Sequence, residues 1–270
     1  MSNLLVRLDK YLFDRHLAPS RTVAQSYISD GRVFVNGLLA TKVSMQIAPT
    51  ASVKVVHTEK EWVSRGAYKL LRAFEVFPID VHGAVCLDIG ASTGGFTEVL
   101  LENGAQTVYS VDVGYGQLAW SLRNDKRVVV KERTNARSLS AEQFDNRKLD
   151  IIVSDASFIS VKLLLPVIEE LLADDGTAVI LVKPQFEAGK ERVGNGVIKD
   201  SALHLTILEE VRDFISSQTN LTLAGTTYSP IKGPEGNIEF LFLLTKTKKM
   251  DEIQEIDLEK IVCEAHINAK

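Results

Sequence analysis

Metal-ligand spacing, a disulfide framework and long apolar runs are all missing from this chain. Only two of its 270 residues are cysteines. Cys86 lies inside an apolar run and Cys263 in an acidic tail, with no C-x-x-C. That usage argues against a secreted disulfide scaffold and for a reducing cytosol. The histidines His16, His57, His82, His204 and His266 are scattered without ligand spacing, so no metal is expected. No apolar run approaches the ~18 residues of a membrane span and no signal peptide is apparent, so a cytoplasmic protein without a membrane partner is expected.

What is present is enough apolar side chain, 45% of residues, for at least one good core and room for two domains. The net charge of −4 conceals an asymmetry. Residues 1–60 carry eight Lys/Arg against four acids, whereas 251–270 carry two Lys against six acids. A basic module on a mildly acidic body suggests a polyanion partner.

Leu4 to Tyr11 and Thr22 to Ser29 read as short helices broken by Pro19-Ser20, with Ser20 as the cap of the second. Gly31 to Ala40 reads as a hairpin turning on Asn36-Gly37, and Ala51–Val56 as a further strand. Two helices on a small sheet make a compact module, and Arg7, Lys10, Arg21 and Arg32 could line one face of it. The strings Arg7-Leu-Asp-Lys-Tyr-Leu, Ser20-Arg-Thr-Val-Ala-Gln and Gly31-Arg-Val-Phe-Val-Asn-Gly resemble the small RNA-binding fold named after a ribosomal small-subunit protein. That resemblance implies shape and phosphate recognition of structured RNA.

The charged run from His57 to Trp62-Val63 reads as a linker. The expected division is an RNA-binding domain at 1–58, a linker at 59–65, a body at 66–249 and an acidic tail at 250–270, the last weakly helical or disordered. In the body, strands are expected at 84–89, 107–112, 127–131, 149–154, 177–182, 221–228 and 237–244. Helices are expected at 66–77, 96–103, 160–172 and 201–217. The fold class is therefore α/β, a mainly parallel seven-stranded sheet ending in an antiparallel hairpin, plus a small N-terminal α+β domain.

Between the first strand and its helix runs Asp88-Ile-Gly90-Ala-Ser92-Thr93-Gly94-Gly95-Phe96. It lacks the G-x-G-x-x-G spacing of a dinucleotide fingerprint. This D-x-G-x-x-x-G-G-F form is similar to the S-adenosylmethionine loop of Rossmann-like methyltransferases. Asp88 would anchor the loop or face the cofactor's amino-acid end. Asp112, ending the second strand, is placed to accept from a ribose diol, and Gly114-Tyr-Gly116 lets a nucleoside approach the backbone. Asn135, after the third strand, is the candidate adenine contact.

Ligands of a doubly wound sheet sit at the strands' carboxyl ends. There stand Asp155 after the fourth strand and Lys183 after the fifth. A lysine following a buried strand needs a carboxylate partner, which Asp155 can supply. Glu239, at the start of the last strand, and Lys69, on the helix before the first, can reach the same rim. Lys69, Asp155, Lys183 and Glu239 resemble the K-D-K-E tetrad of ribose 2′-O-methyltransferases of the FtsJ heat-shock type. Lys183 is the candidate contact to a 2′-oxygen, as a base or as an orienting cation, with Asp155 and Glu239 both favouring its charged form. Arg65 is a candidate phosphate contact. Lys190, in the glycine-rich, basic run 189–199, belongs to a candidate mobile RNA-facing loop.

Over residues 1–246 the arrangement resembles the hemolysin A (TlyA-like) family. That resemblance implies S-adenosylmethionine as cofactor, ribosomal RNA or ribosomal subunits as partner, and cytidine ribose methylation; the sequence does not fix the oligomeric state, and a monomer is the expectation. Three rivals stand beside it: a docking factor that keeps the cofactor but methylates nothing, a base methyltransferase, and a haemolytic membrane-active protein. No N-P-P-Y-type motif favours the second, and no strongly basic amphipathic helix favours the third.

Overall fold

The computed structural model describes residues 5–56, 60–194, 196–246 and 256–270, the side chain of Lys190 excepted. The expected linker's residues 57–59 and tail residues 250–255 lie outside them. The chain forms two compact units, Met1–Glu61 and Trp62–Lys270.

In the first unit, helices Leu8–Asp14 and Arg21–Ser29 pack on strands Val33–Val35, Leu38–Leu39 and Val53–Val55. Leu8, Leu12, Ile28 and Val33 fill the core between them. The Ser20 hydroxyl accepts the Val23 N–H, the expected cap. Asn36 and Gly37 turn the hairpin with φ of +50° and +81°. The first helix begins later than expected. Val6 and Arg7 pair as a strand with Gln46 and Ile47, and the Leu8 N–H is taken by the Met45 carbonyl.

In the second unit, strands β1 (Val85–Ile89), β2 (Thr107–Val111), β3 (Val128–Lys131), β4 (Leu149–Ser154), β5 (Leu172–Val182), β6 (Thr222–Tyr228) and β7 (Phe240–Thr245) form one sheet. Its order is β6-β7-β5-β4-β1-β2-β3, and β7 alone runs against its neighbours. This is the expected α/β sheet with an antiparallel end.

Helices cover both faces, because parallel strands this apolar need burial on each side. On one face lie α1 (Ala67–Val76) and α2 (Gly95–Glu102), with Ala67, Leu70, Val99 and Leu100 buried against the sheet. On the other lie α3 (Leu165–Leu171), α4 (Ser201–Gln218) and α5 (Leu258–Asn268). The tail is therefore not loose in its described part. Leu258, Val262 and Ala265 enter the core, and each large apolar side chain buried there contributes about 1.5–3 kcal/mol. Lys270 then exchanges backbone hydrogen bonds with Pro230 and Lys232.

The register brings the site together. Ile89 pairs with Ser154, and Val182 with Phe240. The residues that follow Ile89, Ser154 and Val182, and the one that precedes Phe240, thus share one rim.

Candidate active site

Two lysines and two carboxylates occupy that rim in the order Glu239, Lys69, Asp155, Lys183. Lys69 Nζ lies 2.7 Å from Glu239 Oε2 and 3.0 Å from Asp155 Oδ2. Lys183 Nζ lies 2.6 Å from Asp155 Oδ1, and donates to the Asp155 carbonyl at 3.2 Å and to Ser157 Oγ at 2.8 Å. Lys69, Lys183 and Glu239 are buried. Burial alone would push the Lys69 ammonium down, but the attraction of Asp155 and Glu239 outweighs it and raises the group overall. The four expected residues are thus brought together. One expected contact is different: the partner of Glu239 is Lys69, not Lys183.

The loop after β1 is built on a buried polar cluster. Asp88 accepts the Thr97 hydroxyl at 2.7 Å, and Thr97 Oγ1 also lies 2.8 Å from Ser110 Oγ. Burial pushes Asp88 up to about 7; Thr97 opposes, and the Asp155 and Asp112 carboxylates add to the rise. Its Oδ1 has no hydrogen-bond partner among the described residues. Of the two roles open to Asp88, loop anchor is the one its complete burial fits.

Gly95 is required sterically: a Cβ there would lie 2.3 Å from Ser64 Oγ and 2.9 Å from the Ala67 backbone nitrogen. Gly90, at φ +83°, packs 3.0 Å from the backbone of Ala156 by the same measure. Ser92 and Thr93 are exposed on the loop, and Gly94 is buried at φ +100°. Phe96 corrects the expectation of a cofactor contact. It is buried in the core with Val99 and Leu100, because the first turn of α2 aims that position inward. Asp112 accepts the Ser92 N–H at 2.8 Å and the Gly114 N–H at 2.7 Å, which fixes a partly exposed carboxylate beside the loop. Asn135 is exposed, with Oδ1 engaged as the cap of the turn Ala136–Ser138.

The basic residues of the first unit divide. Asp9, fully buried, accepts from Arg7, Arg21, Gln25 and the Lys10 N–H, and the Arg7 guanidinium is the main cause that holds its carboxyl well below the usual range. Arg7 and Arg21 remain about half exposed around it. Lys10 is exposed and pairs with Asp14 on the same helix. Arg32 turns inward: only 13% of its side chain is exposed, it stacks over Tyr27, and it donates to the Val56 carbonyl and to Glu61. That geometry is a structural clamp rather than an open phosphate contact. Arg65 is partly buried just ahead of α1. Lys190 opens the short helix Lys190–Val193, and its side chain is outside the described set.

Some participants were not foreseen. Ser157 follows Asp155 by two residues and receives the Lys183 ammonium. Phe158, at φ +63°, is 88% exposed and lies 5.2 Å from Phe186 between ring centroids. Glu187 accepts the Ser160 hydroxyl at 2.6 Å and the Val161 N–H at 2.8 Å, tying down the loop that carries both. The string Asp155-Ala-Ser-Phe was itself the signal, since polar and aromatic residues at a strand's carboxyl end border the ligand crevice.

Comparison with known proteins agrees with this architecture. Residues 62–246 match the family model of FtsJ-like methyltransferases, and residues 6–53 that of the S4 domain. The chain is 49% identical over 247 residues to the 16S/23S rRNA (cytidine-2′-O)-methyltransferase TlyA of Mycobacterium tuberculosis, covering 90% of this chain and 91% of that protein. It is 44% identical over 237 residues to Hemolysin A of Brachyspira hyodysenteriae, covering 87% and 98% respectively. A solved Streptococcus thermophilus structure of a hemolysin-named protein superposes with a TM-score of 0.76 at 39% identity, covering 99% of this chain and 98% of that one. No helix among the described residues is long and apolar enough to cross a membrane. A chain with this order of domains and this degree of identity over nearly its whole length belongs to the TlyA/hemolysin A family of FtsJ-like methyltransferases.

Proposed function

We propose that this chain transfers a methyl group from S-adenosylmethionine to the ribose 2′-hydroxyl of a cytidine in ribosomal RNA. The observation that carries the reading is the Lys183 ammonium, held by Asp155 and Ser157 on the rim the glycine loop shares. The relative 49% identical to this chain is named for that chemistry.

The residues present fit the cofactor. Gly90, Gly94 and Gly95 let the loop pack tightly on Ala156, Leu122 and Ser64, which fixes its path, while Asp88 keeps an unpartnered oxygen beneath it and Asp112 offers a fixed carboxylate. Ser92, Thr93 and Asn135 are exposed around them as further contacts. When bound, S-adenosylmethionine supplies a methyl whose passage to the 2′-oxygen exchanges an S–C for an O–C bond and releases one proton. The protein's task is therefore alignment and care of that proton.

An ammonium has three N–H donors, and those of Lys183 already face three acceptors. A 2′-hydroxyl would share or displace one of the two neutral acceptors, of which the Ser157 hydroxyl is the side chain free to turn away. This saturation favours an orienting cation over a base that must first lose its own proton. Asp155 fixes the direction of Lys183, and Lys69 with Glu239 fixes Asp155.

In this reading residues 1–58 form the RNA-binding domain, 59–65 the linker and 66–249 the methyltransferase domain, in a cytoplasmic monomer. Arg7, Lys10 and Arg21 contact phosphate on the first domain, and Arg65 and Lys190 on the second. The exposed Phe158 ring offers a face for a base to stack on.

The test is tritium transfer from labelled S-adenosylmethionine to ribosomal subunits of a strain lacking this gene, with wild-type and Lys183→Ala protein. Label in RNA ribose with the wild type only is expected. No label despite cofactor binding would favour a docking factor.

A further inference from the structure

Asn237 is buried, with 1% of its surface exposed, and the hydrogen bonds it makes join two segments. Its Oδ1 accepts the Ile198 N–H at 3.0 Å, and its Nδ2 donates to the Gly196 carbonyl at 2.8 Å. The side-chain amide thus pairs with the connector's backbone as a neighbouring strand would, through one donor and one acceptor. Its own carbonyl accepts the Gly233 N–H at 2.9 Å, closing the turn 233–237.

That turn wraps the carboxylate of Glu239. A Cβ on Gly233 would lie 2.6 Å from Glu239 Oε1, while Glu239 Oε2 is 2.7 Å from Lys69 Nζ. The Glu239 carbonyl is fixed by the Ser229 N–H. Displacing the turn therefore displaces the carboxylate, and through Lys69 the carboxylate that directs Lys183.

We propose that Asn237 is a positioning residue, the staple by which the Gly196–Ile198 connector sets Glu239 for methyl transfer. This rests on the methyltransferase reading above. The position demands an amide because it must donate and accept at once. An ionised aspartate could not donate to the Gly196 carbonyl, and would set a negative charge two residues from Glu239. A neutral carboxylic acid has the same shape, with one O–H donor and one C=O acceptor, and would restore both bonds.

That difference supplies the test. By chain position and contact the charged groups nearest the position are Glu235 on its own turn, beside Gly196, Glu239 two residues on with Lys69 of α1 as its partner, Lys232 before the turn with Lys270 bonded to its backbone, and Lys199 and Asp200 after the connector. Burial and the two glutamates would raise an aspartate placed here. Asn237→Ala and Asn237→Asp are compared with wild type for kcat, RNA KM and cofactor affinity between pH 5.5 and 9. At pH 9 both variants are expected to lose roughly ten- to a hundred-fold in kcat, with cofactor affinity within about two-fold of wild type. As pH falls, the ratio of wild-type to Asn237→Asp kcat should shrink by up to about ten-fold per unit as the acid is protonated. The ratio to Asn237→Ala should stay flat.

A flat ratio for Asn237→Asp would overturn the proposal, as would a loss confined to KM with kcat intact. If Asn237→Ala fails to fold, the pH series of Asn237→Asp still decides. Wild-type protein that methylates no RNA would defeat the underlying reading. Active wild type with a flat ratio would defeat the staple alone.

Discussion

Charge balance in the tetrad can be tested apart from catalysis. Lys69 serves two carboxylates, and Asp155 serves two ammoniums. Lys69→Met leaves Glu239, 1% exposed, without its cation. Glu239→Gln leaves two buried ammoniums to share Asp155. Removing one partner of a buried ion pair costs about 3–5 kcal/mol, a large part of the ~5–15 kcal/mol that holds a domain folded. The double variant Lys69→Met/Glu239→Gln removes one charge of each sign and leaves Asp155 and Lys183 as a single pair. Its cost should therefore fall below the sum of the singles by about 2 kcal/mol or more. Both tryptophans, Trp62 and Trp120, belong to the second unit, so urea unfolding followed by tryptophan emission reports on the unit that holds the tetrad. All three variants should lose methyl transfer even where stability returns, because Asp155 loses Lys69 in two of them and in Glu239→Gln Lys69 loses the carboxylate that holds it. Costs additive to within about 0.5 kcal/mol would refute the coupled network.

Further outcomes are expected. Gly95→Ala should cost about 1–3 kcal/mol and weaken S-adenosylmethionine binding measured by calorimetry, because the backbone of Ala67 cannot retreat from the new methyl. His204 is buried, its Nδ1 is 2.9 Å from His266 Nε2, and burial, with His266 adding, lowers it from 6.5 to about 4. The unfolded chain then binds the proton more readily, so stability is complete above pH 6.5 and is lost as pH falls towards 4. Between pH 7.5 and 5 the loss should be about 2 kcal/mol, and His204→Leu should flatten that slope; an unchanged slope would exclude His204 as its source. Arg7→Gln/Arg21→Gln should reduce the logarithmic salt dependence of RNA affinity by about two, while an unchanged slope would remove both residues from the phosphate interface.

Strand ends were legible because buried parallel strands are continuous apolar runs and the residues after them break the pattern. Asp88, Asp112, Asp155 and Lys183 each follow or close such a run, so chain order alone placed them on one rim. What chain order does not carry is reach. From chain order Glu239 could serve either lysine, whereas in the fold, with Phe240 in register against Val182, its carboxylate meets Lys69. Phe96 was misread for a related reason. A motif marks the loop as a unit, whereas the helix that begins within it sends one of its members into the core.

The remaining differences follow from burial that sequence pattern conceals. Leu258, Val262 and Ala265 form an apolar stripe at helical spacing, but the acids around them make the tail look solvated. Arg32 counts as charge in a composition, while in the fold its guanidinium lies on the Tyr27 ring and supports the chain at Val56. Thr97 and Asn237 are the clearest cases. A polar side chain in a loop or on a helix carries no mark that distinguishes solvent from a buried partner. Once buried, each must be satisfied, since an unmade hydrogen bond there costs about 1–3 kcal/mol. Their partners are the Asp88 carboxyl and the Gly196–Ile198 backbone. Groups of formal charge announce a site in sequence, but the neutral hydrogen bonds that hold those groups at working distance become visible only when the chain has folded around them.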